Sequence, residues 1–138
     1  MGTQSKIDTQ LRVRYYEVDQ MGVVHHSRYF MYFEIGRTEL LRNCGYTYKQ
    51  FEESGLFLVV IDVACKYKAP IRYDDTIILS TELTHITPAK IQHSYHLWNH
   101  DRTVLHATGS STLACVNTAG ELQRIPDFLQ SLIVHSSS

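Results

Sequence analysis

Between residues 17 and 26 the chain reads EVDQMGVVHH: a carboxylate at Asp19, a glycine at Gly22, two valines, then imidazoles at His25 and His26. A carboxylate at the end of a strand can be a solvated charge, a cap for nearby amides, or a catalytic base or nucleophile. The residues after it decide which chemistry is within reach. From Ser27 onward apolar side chains recur at helical spacing, which places His25, His26 and Ser27 at the start of a buried helix. A helix start offers unpaired N–H donors and a partial positive charge. Such donors suit an oxyanion developing on a carbonyl. An acid and these donors, set together by one tight turn, are the parts that acyl hydrolysis requires.

The elements that must position them follow from periodicity and turn residues. TQLRVRYYEV alternates and contains β-formers, predicting a strand over 9–17. Phe30, Phe33, Arg37 and Leu41 then share one helical face, widened by Met31, Ile35 and Thr38. Ser27 is the expected N-cap and Gly45 the expected residue beyond the C-terminus. The first half of this helix is apolar nearly all round, which predicts burial, and Gly36 would let it sit close to a sheet. TYKQ at 47–50 has capping-box spacing and opens a short helix to about residue 53. Strands are expected over 56–68, 76–87, 90–99 and 103–116, with turns at YDD, TP, NHDR and NTAG between or after them. Pro126 and Asp127 look like the first turn of a C-terminal helix. Strands in series joined by tight turns imply an antiparallel sheet. The class is therefore α+β: a curved sheet wrapped around one long central helix, with exposed strand edges that favour dimerisation.

At 138 residues the chain is expected to form one domain over 1–138, with an ordered core over about 8–133. Thirteen basic and fourteen acidic side chains give a net charge of -1, so nothing in the overall charge points to nucleic acid or an acidic membrane as partner. Three separated cysteines without a CxxC read as reduced thiols, and the N-terminal residues show no apolar leader. The longest apolar run, LFLVVI, is far too short to span a bilayer. A soluble, cytoplasmic protein is expected. His93, His96 and His100 lie close in sequence, but alternation turns His93 away from His96, so no metal site is expected.

The segment YYEVDQMGVVHHSRYFMYFEIGRTELLR resembles the opening motif of the hot-dog-fold acyl-CoA thioesterases, in the branch containing 4-hydroxybenzoyl-CoA thioesterase and the YbgC-type enzymes. KYKAPIRYDD resembles a strand and turn of these proteins, and NTAGELQRIP their C-terminal hairpin. The likeness runs from about residue 10 to residue 128. It implies a hot-dog fold, a homodimer as the minimal active unit and often a homotetramer. It also implies hydrolysis of an acyl-CoA, or acyl-carrier-protein, thioester to acid and thiol. No cofactor is implied, because coenzyme A belongs to the substrate.

What the resemblance implies falls on particular positions. Asp19 matches the catalytic carboxylate, acting as nucleophile or as general base. The backbone amide of His26 matches the group that polarises the thioester carbonyl, and its side chain the histidine of the YbgC branch. Tyr15 matches an assisting tyrosine, and alternation over four residues would put it on the face of Asp19. Glu34 matches a helix carboxylate, expected to be paired in a buried helix, and is the reserve candidate for the base. Substrate contacts are expected from Gly22, Val24 and His25, with a structural or surface role as the alternative for His25. Phe57 and Val59 are expected to face the acyl group. Lys66, Lys68, Arg72 and Lys90 are the candidate partners for the phosphates of coenzyme A, although the turn before Lys90 lacks the basic residues of the 4-hydroxybenzoyl enzymes. Two alternatives use the same groove: a non-catalytic acyl-CoA-binding protein, and a hot-dog acyl-thioester dehydratase.

Overall fold

The computed structural model describes residues 5–131. Its chain runs β1 (Lys6–Arg12), a 3-10 turn (Tyr15–Glu17), α1 (Arg28–Asn43), α2 (Tyr48–Glu53), β2 (Leu56–Tyr67), β3 (Thr76–Ile86), β4 (Ile91–Asn99), β5 (Leu105–Asn117), β6 (Leu122–Gln123) and α3 (Asp127–Gln130). All strand pairs are antiparallel. They form one six-stranded sheet in the order β1-β3-β4-β5-β2, with β6 paired to β5. The curved sheet holds α1 against its inner face, the expected α+β hot-dog arrangement.

The strand expected over 9–17 ends early. β1 stops at Arg12, and Tyr15–Glu17 coil into the 3-10 turn. Glu17 explains the change. Its side chain accepts from the Arg14 amide at 2.9 Å and from the Tyr32 hydroxyl at 2.8 Å, which bends the backbone back towards α1. Alternation therefore does not relate Tyr15 to Asp19.

The packed face of α1 is rotated slightly from the expected one. Tyr29, Tyr32, Phe33, Gly36, Leu40 and Leu41 are buried, whereas Met31 and Glu34 are exposed. Gly36 has the expected role. A Cβ there would come within 2.7 Å of the Leu79 side chain and meet the Thr81 hydroxyl, so β3 passes directly beneath this turn of the helix. Phe33 stacks on Tyr95 with ring centroids 4.3 Å apart and lies over Gly109, whose missing side chain makes room for it. The helix ends as expected at Gly45: the Gly45 amide bonds to the Arg42 carbonyl, and the Tyr46 amide to that of Leu41.

The core divides along α1. One half gathers Val13, Val24, Tyr29, Phe33, Ile71, Ile77 and Leu97 beneath the helix start. The other gathers Leu40, Phe51, Leu83, Ile91, Leu113, Ile125 and Leu129 beneath its end, covered by α2 and α3. Val24, in the segment that leads into α1, belongs to the first half. The two edge strands differ in kind. β1 alternates exposed and half-buried residues. β2 leaves Val59, Val60, Ile61 and Val63 exposed in one run, with a bulge between Val60 and Asp62. Among the described residues no helix is long and apolar enough to cross a membrane. Nor do three His, Cys, Asp or Glu side chains among them converge as metal ligands.

Candidate active site

Asp19 opens a small hairpin. Its amide donates to the Val23 carbonyl at 2.8 Å, and the Gly22 amide returns to the Asp19 carbonyl at 2.9 Å. Gly22 has φ of 79°, the left-handed conformation this turn needs. The Asp19 side chain caps the same turn: Oδ1 accepts from the Met21 amide at 2.8 Å and more weakly from the Val23 amide at 3.4 Å. Its other oxygen has no protein partner among the described residues. The carboxyl group is thus fixed by one oxygen and available through the other.

The turn is tied to the helix start by backbone and by buried side chains. Val18 bridges Val24, and Val23 bridges Arg72. The Val24 amide donates to the Ile71 carbonyl at 2.7 Å, and the His25 amide to the Glu17 carbonyl at 3.0 Å. Val24 is 5% exposed and anchors the hairpin in the core. The His26 amide is different: among the described residues it donates to no protein acceptor, so this N–H remains available at the start of α1. Ser27 takes the N-cap position but makes no side-chain cap; its hydroxyl instead pairs with His25 Nδ1 at 2.9 Å. The His25 and His26 rings lie 4.1 Å apart.

Three residues that sequence reasoning passed over hold this arrangement. Tyr67, at the end of β2, donates its hydroxyl to the His26 carbonyl at 3.0 Å and packs edge-on against Tyr29 at 4.7 Å. It clamps the sheet to the helix start. Burial and then the neighbouring Cys65 raise the Tyr67 phenol above its ordinary range, so it stays a donor. Glu17 and Tyr32 form the second pair; burial first, and then the bond to Glu17, raise the Tyr32 phenol strongly. Burial also raises Tyr29, to about 12. The only sequence signal was density: the stretch from Tyr29 to Phe33 carries four aromatic residues, more than a single packing stripe needs.

Two open grooves adjoin the hairpin. One is lined by Tyr15, Tyr16, Val18, Asp19, Gly22 and Tyr73. The other is lined by Val23, Val24, His26, Tyr29, Tyr67 and Lys68. The Gly22–Val24 segment borders both, Gly22 lining the first and Val23 and Val24 the second. Tyr15 therefore does flank Asp19, through the 3-10 turn. It is 77% exposed and meets Tyr73 edge-on at 5.6 Å. Arg72 reaches the site through its backbone pairing with Val23, and its side chain is exposed.

Other expected site residues line neither of these two grooves within one chain. Glu34 is exposed on α1 rather than buried and paired, and with Thr38 it lines one groove that reaches Arg14 and Tyr16 and another that reaches Tyr48 and Leu58 of β2. Lys66 is exposed on β2 opposite Thr108. Phe57 and Val59 pair with Val116 and Ala114, at the far end of β2 from Tyr67. At about 3.3 Å per residue that is roughly 30 Å away. Lys90 sits in the β3–β4 turn, where Pro88 accepts from the Ile125 amide at 2.8 Å, again at the end remote from Asp19. Sequence spacing alone does not reveal which end of a strand meets the helix start.

A sheet wrapped around one helix, with an acid-bearing turn leading into that helix, places the chain among the hot-dog enzymes that act on thioesters. The model of the Thioesterase-like superfamily matches residues 13–133, and the chain belongs to that superfamily. It is 33% identical over 108 residues to the acyl-CoA thioesterase YbgC of Haemophilus influenzae, covering 78% of each chain. It is 30% identical over 96 residues to the acyl-CoA thioester hydrolase YbgC of Escherichia coli O157:H7, covering 70% of this chain and 72% of the other. Among solved structures, the DHNA-CoA thioesterase of Staphylococcus aureus superposes with a TM-score of 0.89 at 26% identity, over 96% of this chain and 91% of that one. The chain is an enzyme that hydrolyses thioesters.

Proposed function

We propose that the chain is a cytoplasmic acyl-CoA thioesterase whose acid is Asp19. The observation that carries this reading is the divided carboxylate, one oxygen bonded to its own turn and the other unpartnered, followed by an unused amide at the start of α1. The thioester carbonyl accepts from the His26 amide, which stabilises the oxyanion as it forms. The free oxygen of Asp19 then acts in one of two ways. As nucleophile it bonds to the carbonyl carbon, the C–S bond breaks, and the thiolate leaves to take a proton from solvent. Water then hydrolyses the mixed anhydride and restores the carboxylate. As general base it takes a proton from water, the resulting hydroxide bonds to the carbonyl carbon, and the proton passes to the departing sulfur. Neither route uses a cofactor, and an acyl-carrier-protein thioester presents the same reacting atoms. Tyr15 and the His26 side chain flank the reacting group.

The proposed assembly is a homodimer, itself able to pair into a tetramer, formed through the exposed apolar run of β2. Antiparallel pairing of two β2 edges would carry Phe57 and Val59 of a second copy towards the Tyr67 end of the first. Residues remote within one chain would then help cover a shared site. A molar-mass measurement by light scattering tests this, and a monomer would refute it.

Asp19→Asn tests the chemistry. Thiol release from an acyl-CoA should fall by about 10²–10⁴-fold with the fold retained, whereas Glu34→Gln should keep activity. The reverse result would transfer the acid to the helix. A single turnover in ¹⁸O-water separates the routes, because only the anhydride path can leave label in Asp19.

A further inference from the structure

The two grooves beside the catalytic hairpin are chemically unlike. The Asp19 groove carries three tyrosines, Tyr15, Tyr16 and Tyr73, together with Val18 and Gln20, and no lysine or arginine lines it. The His26 groove carries Lys68 and no acid. The Gly22–Val24 segment, with Asp19 before it and the His26 amide just beyond, borders both grooves. A thioester of coenzyme A has the same asymmetry: an uncharged acyl group on one side of the sulfur and a phosphate-bearing arm on the other.

We propose that the substrate lies across this segment in one direction, its acyl group against Tyr15 and Tyr73 and its phosphate-bearing thiol arm towards Lys68, so that Tyr73 determines acyl specificity. This rests on the thioesterase reading above. The physical argument is electrostatic. Phosphates laid in the first groove would meet the Asp19 carboxylate directly, whereas in the second they meet the Lys68 ammonium group and no acid. Lys68 is held there by its backbone: its amide and that of Ala69 both donate to the His106 carbonyl, at 2.8 and 3.1 Å. Tyr73 is held in the same way, because its amide approaches the Gly22 carbonyl at 3.4 Å and its ring stands edge-on to Tyr15. It is 52% exposed, so its face is open to an incoming group. Rings placed like this favour a flat, apolar acyl group over a flexible chain.

The test crosses two acyl groups with two thiol carriers. Benzoyl and butyryl thioesters of coenzyme A, and of N-acetylcysteamine, which has no phosphate, are hydrolysed by the wild type, Tyr73→Ala, Tyr73→Phe and Lys68→Ala, with thiol release followed by a thiol dye. Tyr73→Ala should lower kcat/KM for benzoyl relative to butyryl thioesters about five- to tenfold, equally with both carriers, and Tyr73→Phe should restore it. Lys68→Ala should raise KM about fivefold more for the coenzyme A thioesters than for their N-acetylcysteamine counterparts, with the acyl preference unchanged. If Tyr73→Ala alters discrimination between carriers but not between acyl groups, or if Lys68→Ala affects both carriers alike, the proposed direction is overturned. Wild-type enzyme that releases no thiol from any of the four would instead overturn the thioesterase reading, and the direction with it.

Discussion

Removal of one hydroxyl, Tyr32→Phe, tests whether the Asp19 turn is held from inside. Glu17 is 7% exposed and Tyr32 2% exposed, so their contact is shielded from water. One carboxylate oxygen accepts from the Tyr32 hydroxyl at 2.8 Å and from the Arg14 amide at 2.9 Å, while the other is 3.9 Å from the Arg14 guanidinium. Without the hydroxyl, the carboxylate keeps one short bond and one distant cation. Hydrogen bonds to charged groups contribute about 1.5–3 kcal/mol, and the lost volume is a single oxygen, so the variant should be less stable by about 2 kcal/mol. The pair can be isolated by a double-mutant cycle with Glu17→Gln, measured by urea unfolding followed by circular dichroism. The tyrosine substitution should cost about 1 kcal/mol less in the Glu17→Gln background, where the acceptor is neutral. The Glu17 carbonyl also accepts the His25 amide at 3.0 Å, so looser anchoring should lower kcat several-fold while Asp19 stays intact. A Tyr32→Phe protein within about 0.5 kcal/mol of wild type, or an identical cost in both backgrounds, would refute the reasoning.

Three further outcomes follow from the packing. Gly36→Ala should destabilise by about 1–3 kcal/mol, because overpacking against Leu79 and Thr81 exceeds the roughly 1 kcal/mol gain in helix propensity; a thermal melt at or above wild type would contradict this. His93 is buried, and burial, followed by the positive charge of Arg37, lowers its imidazole from 6.5 to about 3. Its folded form therefore refuses a proton that the unfolded chain accepts. The stability from this group is complete above the unfolded value and falls by about 1.4 kcal/mol per pH unit as pH drops towards the folded one. Urea titrations at a series of pH values should give a flatter profile for His93→Gln, and an unchanged slope would count against this account. Gly22→Ala should cost about 1 kcal/mol from the left-handed backbone alone, and thiol release should fall more than that loss explains, because the same turn aims Asp19.

Much of the fold was legible because its signals are local. β-Branched runs broken by YDD, TP and NHDR marked the four long strands to within two residues at each end. The aromatic helix announced its own limits at Ser27 and Gly45. The exception, residues 13–17, failed for a physical reason: alternation there is real, but Glu17 finds two donors, the buried Tyr32 hydroxyl and the half-buried Arg14 amide, and the backbone turns to meet them. Within the site, the hairpin from Asp19 to Val24 could be read from a carboxylate three residues before a glycine. The clamp by Tyr67 could not, because it joins residues 41 apart in sequence. Glu34 misled because the face of a helix is fixed by its partner, and Gly36 rather than Phe30 marks the line of closest approach.

The contrast between the two borders of the sheet has a consequence for how copies can meet. β1 presents Lys6, Asp8 and Arg12 outward, and Ser80 of β3 and Arg102 of the β4–β5 turn hold Asp8 in place. β2 presents valines and an isoleucine. A copy that adds to the greasy border leaves only charged rims at the two new extremities, and such rims resist further addition. Strand-to-strand growth would then halt after one step, giving a closed, two-fold pair, itself free to associate through its faces, instead of an open fibre.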